Sequence, residues 1–262
     1  MDSRLCILAI VLAACGGPAA PTAPTPTTHT VRPSAELTWQ ALNPARGEAS
    51  PRAADLWGDR TEEGATGFLV RFVDGFASPP HIHNVTYRAV VLSGLVYNGD
   101  PDGEPEWMPP GSFWTQPKGG AHITAARGDD VVAYVEIDEG PYLVQPVAEA
   151  FDDGTTPRNV PAARLPWREA GAGRVALLWE NGEHAGHMVA LSGGATATLR
   201  AASAHAVVVL GGVAVRWGEG DRTESIDPGS HVAWTGEGPS ATCANGEGCT
   251  LYVRSSGELT LE

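Results

Sequence analysis

The chain has 262 residues, enough for one large domain or two of ordinary size. With 42% hydrophobic and 18% charged residues, it can bury a core, which excludes wholesale disorder. Acidic residues outnumber basic ones 31 to 17, giving a net charge of −14; a surface of that sign repels phosphate backbones and argues against nucleic acid as a partner.

From the N-terminus, Leu5–Ala14 is an apolar run behind Arg4. It is too short for a bilayer-spanning helix, which needs about 20 residues, but suits the apolar region of a secretory signal. The run ends Leu12-Ala13-Ala14-Cys15, which resembles the lipobox of bacterial lipoproteins. That resemblance implies a leader over 1–14, lipidation at Cys15, and an extracytoplasmic chain touching the membrane only through its anchor. Residues 15–36 are rich in Pro, Thr and Ala and read as an extended tether.

Beyond residue 36 no segment carries a long helical period, though Val147–Asp152 suits a short helical turn. Short β-branched and aromatic runs, bounded by Gly, Pro, Asn or Asp, predict strands near Gly67–Val73, Arg88–Tyr97, Val131–Ile137, Val175–Trp179, Ala206–Trp217 and Thr250–Arg254. Together with Gly 32 and Pro 21, they indicate an all-β sandwich or barrel. Within the first half, His81-Ile82-His83 alternates so that positions 81, 83, 85 and 87 share one strand face. Two imidazoles placed this way can grip one cation. His122, after the turn Pro117-Lys118-Gly119-Gly120, is the candidate third ligand. Trp114 and Gln116 lie on one face of the preceding strand and are candidate pocket-lining residues. The acidic string Asp100–Glu106 lacks the spacing of an EF-hand loop and reads as a solvated connection.

These spacings resemble the two cupin motifs. Gly75, His81-x-His83, Tyr87 and Gly94 match the first, with Tyr87 where a glutamate is usual; Gly111, Pro117-x-Gly119 and His122 match the second. The strings His81–Gly94, Gly111–Ala125 and Glu139–Val144 resemble an uncharacterised, partly exported bacterial bicupin family. The resemblance implies a jelly-roll β-barrel and one divalent metal held by His81, His83 and His122. Iron and zinc come first for such a site, with manganese, nickel and copper compatible. The missing glutamate leaves a neutral three-histidine site resembling those of thiol and diketone-cleaving dioxygenases. Tyr87 points into the barrel by parity and is the candidate catalytic residue; packing in the glutamate's place is its alternative. Two function classes follow: a metal-dependent oxidoreductase acting on a small organic molecule, or a lipid-tethered module that binds a metal or small ligand without turnover. Glu136 is a further acid/base candidate whose placement the sequence leaves open.

An internal repeat extends the resemblance along the chain. At an offset of 118, Val90–Gly94 falls on Val208–Gly212, Pro110–Ser112 on Pro228–Ser230 and Tyr134-Val135 on Tyr252-Val253. The prediction is two tandem cupin domains, 37–146 with the metal site and 165–262, joined by a linker over 147–164. At the same offset His81, His83, His122 and Tyr87 fall on Leu199, Ala201, Ser240 and His205, so the second site is degenerate and that half is structural or dimer-forming. Cys243 and Cys249 flank a turn-like insert and are predicted to form a disulfide in an oxidising compartment.

Overall fold

The computed structural model describes residues 28–218, 222–244 and 246–262; the predicted leader, Cys15 and the first part of the tether lie outside them. The described chain is nearly all β, a jelly-roll β-barrel fold with only short 3-10 turns. The predicted strands are present, several of them longer: Thr66–Phe72, Tyr87–Gly99, Ile123–Ile137, Gly173–Glu180, Ser203–Leu210 and Cys249–Ser256. The run near Ala206–Trp217 divides at Gly211-Gly212 into two strands, the second being Val213–Arg216. The predicted helical turn is the 3-10 turn Val147–Glu149.

One seven-stranded sheet runs, edge to edge, through Arg158–Val160, Phe113–Gln116, Tyr87–Gly99, Ile123–Ile137, Thr66–Phe72, Arg52–Trp57 and Gln40–Ala41. A second runs through Thr28–Arg32, His231–Thr235, Ser203–Leu210, Cys249–Ser256, His184–Leu191, Gly173–Glu180 and Arg168–Ala170. The paired strands Tyr87–Gly99 and Ile123–Ile137 bend at a register shift around Ser93, so their far halves turn over to form the opposite wall. Gly94 permits the bend: its φ is 69°, and a Cβ there would meet Val131 at 2.6 Å.

Three apolar clusters follow from this arrangement. Phe68, Val70, Tyr87, Ala89, Trp114, Ala133 and Val135 fill the first barrel. Leu199, Ala204, Val208, Trp234 and Val253 fill the second. Between them lie Leu69, Val90, Phe113, Val132 and Tyr134, packed against Leu178, Met188, Val207, Val209 and Tyr252. The strand Val131–Ile137 thus sends alternate residues into the barrel and into the interface, which explains why it is apolar on both faces apart from Glu136.

Two of the connecting segments contain strands. Thr28–Arg32, read as tether, is the edge strand beside His231–Thr235, and Arg158–Val160, read as linker, is the edge strand beside Phe113–Gln116. The segment preceding each half therefore pairs with the sheet of the other half, in a reciprocal exchange of arms. The unpaired edges of both sheets supply the ladder hydrogen bonds that the Pro/Thr-rich composition of these segments concealed.

Candidate metal centre

His81 and His83 stand on the three-residue strand His81–His83, which pairs with Val144–Pro146. His122 is brought beside them by a bridge in which the His81 and His122 backbones exchange hydrogen bonds, both 3.0 Å long. The turn before it passes through Gly119, whose φ is 73° and whose Cα is covered by Phe151; a side chain there would need both room and a disfavoured backbone. The three histidines are buried, and one ring nitrogen of each lies within 4.8 Å of the others. Among the described residues this is the one His/Cys/Asp/Glu group with such geometry.

The remaining nitrogens are committed. His81 Nδ1 donates to the Pro79 carbonyl at 2.9 Å, His83 Nδ1 to the Leu143 carbonyl at 3.0 Å and His122 Nδ1 to the Gly120 carbonyl at 2.9 Å. A carbonyl only accepts, so Nδ1 carries the proton in each neutral ring and Nε2 presents its lone pair. Metal-binding histidines are oriented in this way by their other nitrogen. Burial, aided by the mutual repulsion of the rings, lowers the pKa of His83 well below the ordinary range and that of His122 to about 4. The donor set therefore fits a divalent transition metal: three neutral imidazoles, deprotonated where they must bind and fixed in direction.

Tyr87 lies beside this group. Its hydroxyl donates to Asn98 Oδ1 at 2.9 Å, accepts from Trp114 Nε1 at 3.4 Å and stands 3.5 Å from His122 Nε2. Burial pushes its pKa upward, so it remains a phenol. Asn98 ties the network together, donating to Gln116 Oε1 at 3.0 Å and accepting from Thr124 Oγ1 at 2.9 Å. Gln116 donates to the Gly120 carbonyl at 3.0 Å, bracing the carbonyl that orients His122.

Two cavities are lined by the histidines. The first, about 450 Å³, is lined by His81, His83, Tyr87 and Trp114 with apolar side chains including Leu42, Phe72 and Phe76. The second, about 1030 Å³, is lined by His122, Gln116 and Lys118. Trp114 and Gln116, predicted to line one pocket, thus face different ones.

Sequence reasoning missed Tyr142. Its ring stacks on His83 at a centroid distance of 4.4 Å, and its hydroxyl lies 3.3 Å from His83 Nε2. It lies in the string Glu139–Val144, but a turn residue has no strand parity from which to assign a face. Glu136 belongs elsewhere. It is wholly buried between the halves, accepting from Tyr134 at 3.0 Å and Tyr252 at 2.6 Å, with Arg254 3.6 Å away. Burial pushes its pKa up against the pull of Arg254.

The second half has no counterpart of the centre among its described residues. Register also corrects one correspondence. Val91 N–H donates to the Ser112 carbonyl and Val208 N–H to that of Ser230, both at 3.0 Å. Val91 therefore matches Val208, and Tyr87 matches Ala204 rather than His205. A one-residue slip reverses the face: His205 points away from the barrel, stacked on Trp57 at 4.2 Å and hydrogen-bonded to His231 at 3.1 Å. Cys243 and Cys249 are joined as a disulfide.

The family described as a domain of unknown function, DUF4437, matches residues 30–262. The chain belongs to this family. No curated protein matches the sequence. Among solved structures, a Nostoc punctiforme protein provisionally described as a dioxygenase is similar, with 14% identity, a TM-score of 0.65 and coverage of 86% of this chain and 81% of the other. The formate complex of Lactobacillus farciminis oxalate decarboxylase is similar at 12% identity and a TM-score of 0.60, covering 88% and 87%. Bacillus subtilis oxalate decarboxylase, a protein with Mn(II) centres, has 12% identity and a TM-score of 0.54, covering 90% and 78%. At these identities the likeness is one of fold: this DUF4437 chain shares the β-barrel fold of these proteins.

Proposed function

We propose that this protein is an exported, lipid-anchored, two-cupin metalloprotein whose first half oxidises a small organic molecule at a centre held by His81, His83 and His122. The observation that carries the reading is the set of three buried, convergent Nε2 atoms, each fixed by an Nδ1–H bond to a backbone carbonyl. His81, His83 and His122 would hold a divalent metal through three neutral imidazoles, and that metal would supply Lewis-acid or, with iron, one-electron chemistry.

The protein's own groups do the rest. The apolar wall of the 450 Å³ cavity excludes water and accommodates a compact substrate; small-molecule sites usually measure about 300–1,000 Å³. Tyr87 is engaged on both sides by Asn98 and Trp114 and positions His122 rather than exchanging protons. Tyr142 has its hydroxyl on a nitrogen that a metal would claim, so occupancy of the centre frees that O–H to donate toward a bound molecule. The disulfide supports an oxidising, extracytoplasmic setting, and the degenerate second half supports a scaffolding role for that barrel.

The test is oxygen consumption by iron-reconstituted protein across a panel of small thiols, diketones and carboxylates. Uptake with one substrate class, lost in Tyr142→Phe while metal stays bound, is the expected result. A fully loaded protein that consumes no oxygen with any of them favours the non-catalytic binding module. The carboxylate-free lining of the first cavity is the observation behind that second reading, since it offers no general base.

A further inference from the structure

The first cavity carries one charged side chain, Arg46; its other lining residues are apolar, aromatic or neutral polar. Arg46 sits in the 3-10 segment Pro44–Ala49, which contributes it to the cavity lining. The segment is built to stay there. Asn43 Oδ1 accepts from Ala45 N–H at 3.1 Å, Ser50 Oγ accepts from Asn43 N–H at 2.9 Å, and Leu42 N–H closes the loop onto the Pro51 carbonyl at 2.7 Å. The Arg46 guanidinium lies over the Phe76 ring, 4.9 Å from its centroid. One of its nitrogens donates to the Ala77 carbonyl at 3.4 Å. A guanidinium has five N–H donors, so most of this fork is uncommitted in the wall of an apolar hole.

Charge balance points the same way. In a chain of net charge −14, the lining of this cavity contains no carboxylate. A divalent ion held by three neutral rings would keep its full charge, and Arg46 adds another positive charge. The missing negative charge has to arrive with the ligand.

We propose that Arg46 anchors the anionic head of the substrate, which makes the substrate class of this centre a small, largely apolar monocarboxylate. The inference deepens the metalloenzyme reading and rests on it for the reaction, though not for binding. The carboxylate pairs with the planar fork, the apolar body lies along Leu42, Phe72 and Phe76, and the reactive end reaches the histidines.

The experiment is calorimetric titration with carboxylates from butyrate to 6-phenylhexanoate, each paired with its primary amide. Wild type, Arg46→Gln and Arg46→Lys are compared, both chelator-stripped and zinc-loaded. At least one carboxylate binds stripped wild type about tenfold tighter than its amide, the size expected of a charge-assisted hydrogen-bonded pair. Arg46→Gln abolishes the preference and Arg46→Lys keeps part of it. A preference that survives Arg46→Gln, or failure of every carboxylate to bind, overturns the proposal. The two readings fail separately. An Arg46-dependent preference in a protein that takes up no zinc leaves the anchor standing and removes the metal centre. A preference seen only with zinc and indifferent to Arg46 does the reverse.

Discussion

Three histidines become a prospective donor set because each has one nitrogen occupied by a backbone carbonyl and the other turned toward its neighbours. Tyr87, by contrast, is held by Asn98 and Trp114. Tyr87→Phe should therefore keep the full metal content of wild type, while leaving the Trp114 N–H short of a partner costs about 1–3 kcal/mol, measurable by denaturant unfolding. Loss of metal in that variant would show that the phenol is a ligand. In the second half, burial and neighbouring positive charge lower the pKa of His205 to about 4 and that of His231 to about 3. A base with a lowered folded pKa binds its proton more readily when unfolded, at about 6.5. Stability is then greatest above pH 6.5 and falls as the pH drops from there toward 4 and 3, by up to about 1.4 kcal/mol per pH unit for each such group. His231→Phe copies the residue at the matching position of the first half, Phe113, and should flatten that acid slope in urea titrations at several pH values.

At the scale of strands, the histidine group was legible because period-2 alternation puts His81, His83 and Tyr87 on one face, and Gly119-Gly120 announces the turn that delivers His122. What stayed hidden depended on register. The repeat offset of 118 holds for Gly111 with Gly229 and Tyr134 with Tyr252, but Ser203–Leu210 matches Tyr87–Gly99 at 117, because the connection from Val208 to Gly229 is one residue longer than that from Val91 to Gly111. Register shifts after Val91 and after Val208 place the same bulge in both halves, and neither a bulge nor a one-residue difference in a connection leaves a mark in composition. The same bend depends on Gly94. Gly94→Ala must adopt a φ of 69° and press on Val131, so it should cost more than about 1 kcal/mol and lower the melting temperature. An unchanged melting temperature would mean that the bend relaxes freely. Tyr142 escaped because its partners are set by tertiary approach of a turn, which no periodicity encodes.

At the scale of the molecule, each half lends an edge strand to the other and both bury an apolar face between them. Glu136 and Arg254 occupy matching positions of the repeat and meet across that face, 3.6 Å apart. Arg254 and Arg88 converge on Asp138 at 2.7 and 2.8 Å. Opposite charges at matching positions favour the two unlike halves over two copies of either one. Residues 37–146 expressed alone would expose Val90, Phe113, Val132 and Tyr134 together with the buried Glu136; the fragment should aggregate or pair with itself, as light scattering would show. A monodisperse, cooperatively folding fragment would contradict the account of the interface.

The central claim is that the first barrel holds one metal ion. Elemental analysis by mass spectrometry on protein lacking residues 1–14, purified without a metal-chelating tag, tests it most directly. The account predicts about one divalent ion per chain in wild type and none in His81→Ala or His122→Ala with the fold retained. No metal after reconstitution, or full occupancy in either variant, would return the three histidines to a hydrogen-bonded core cluster.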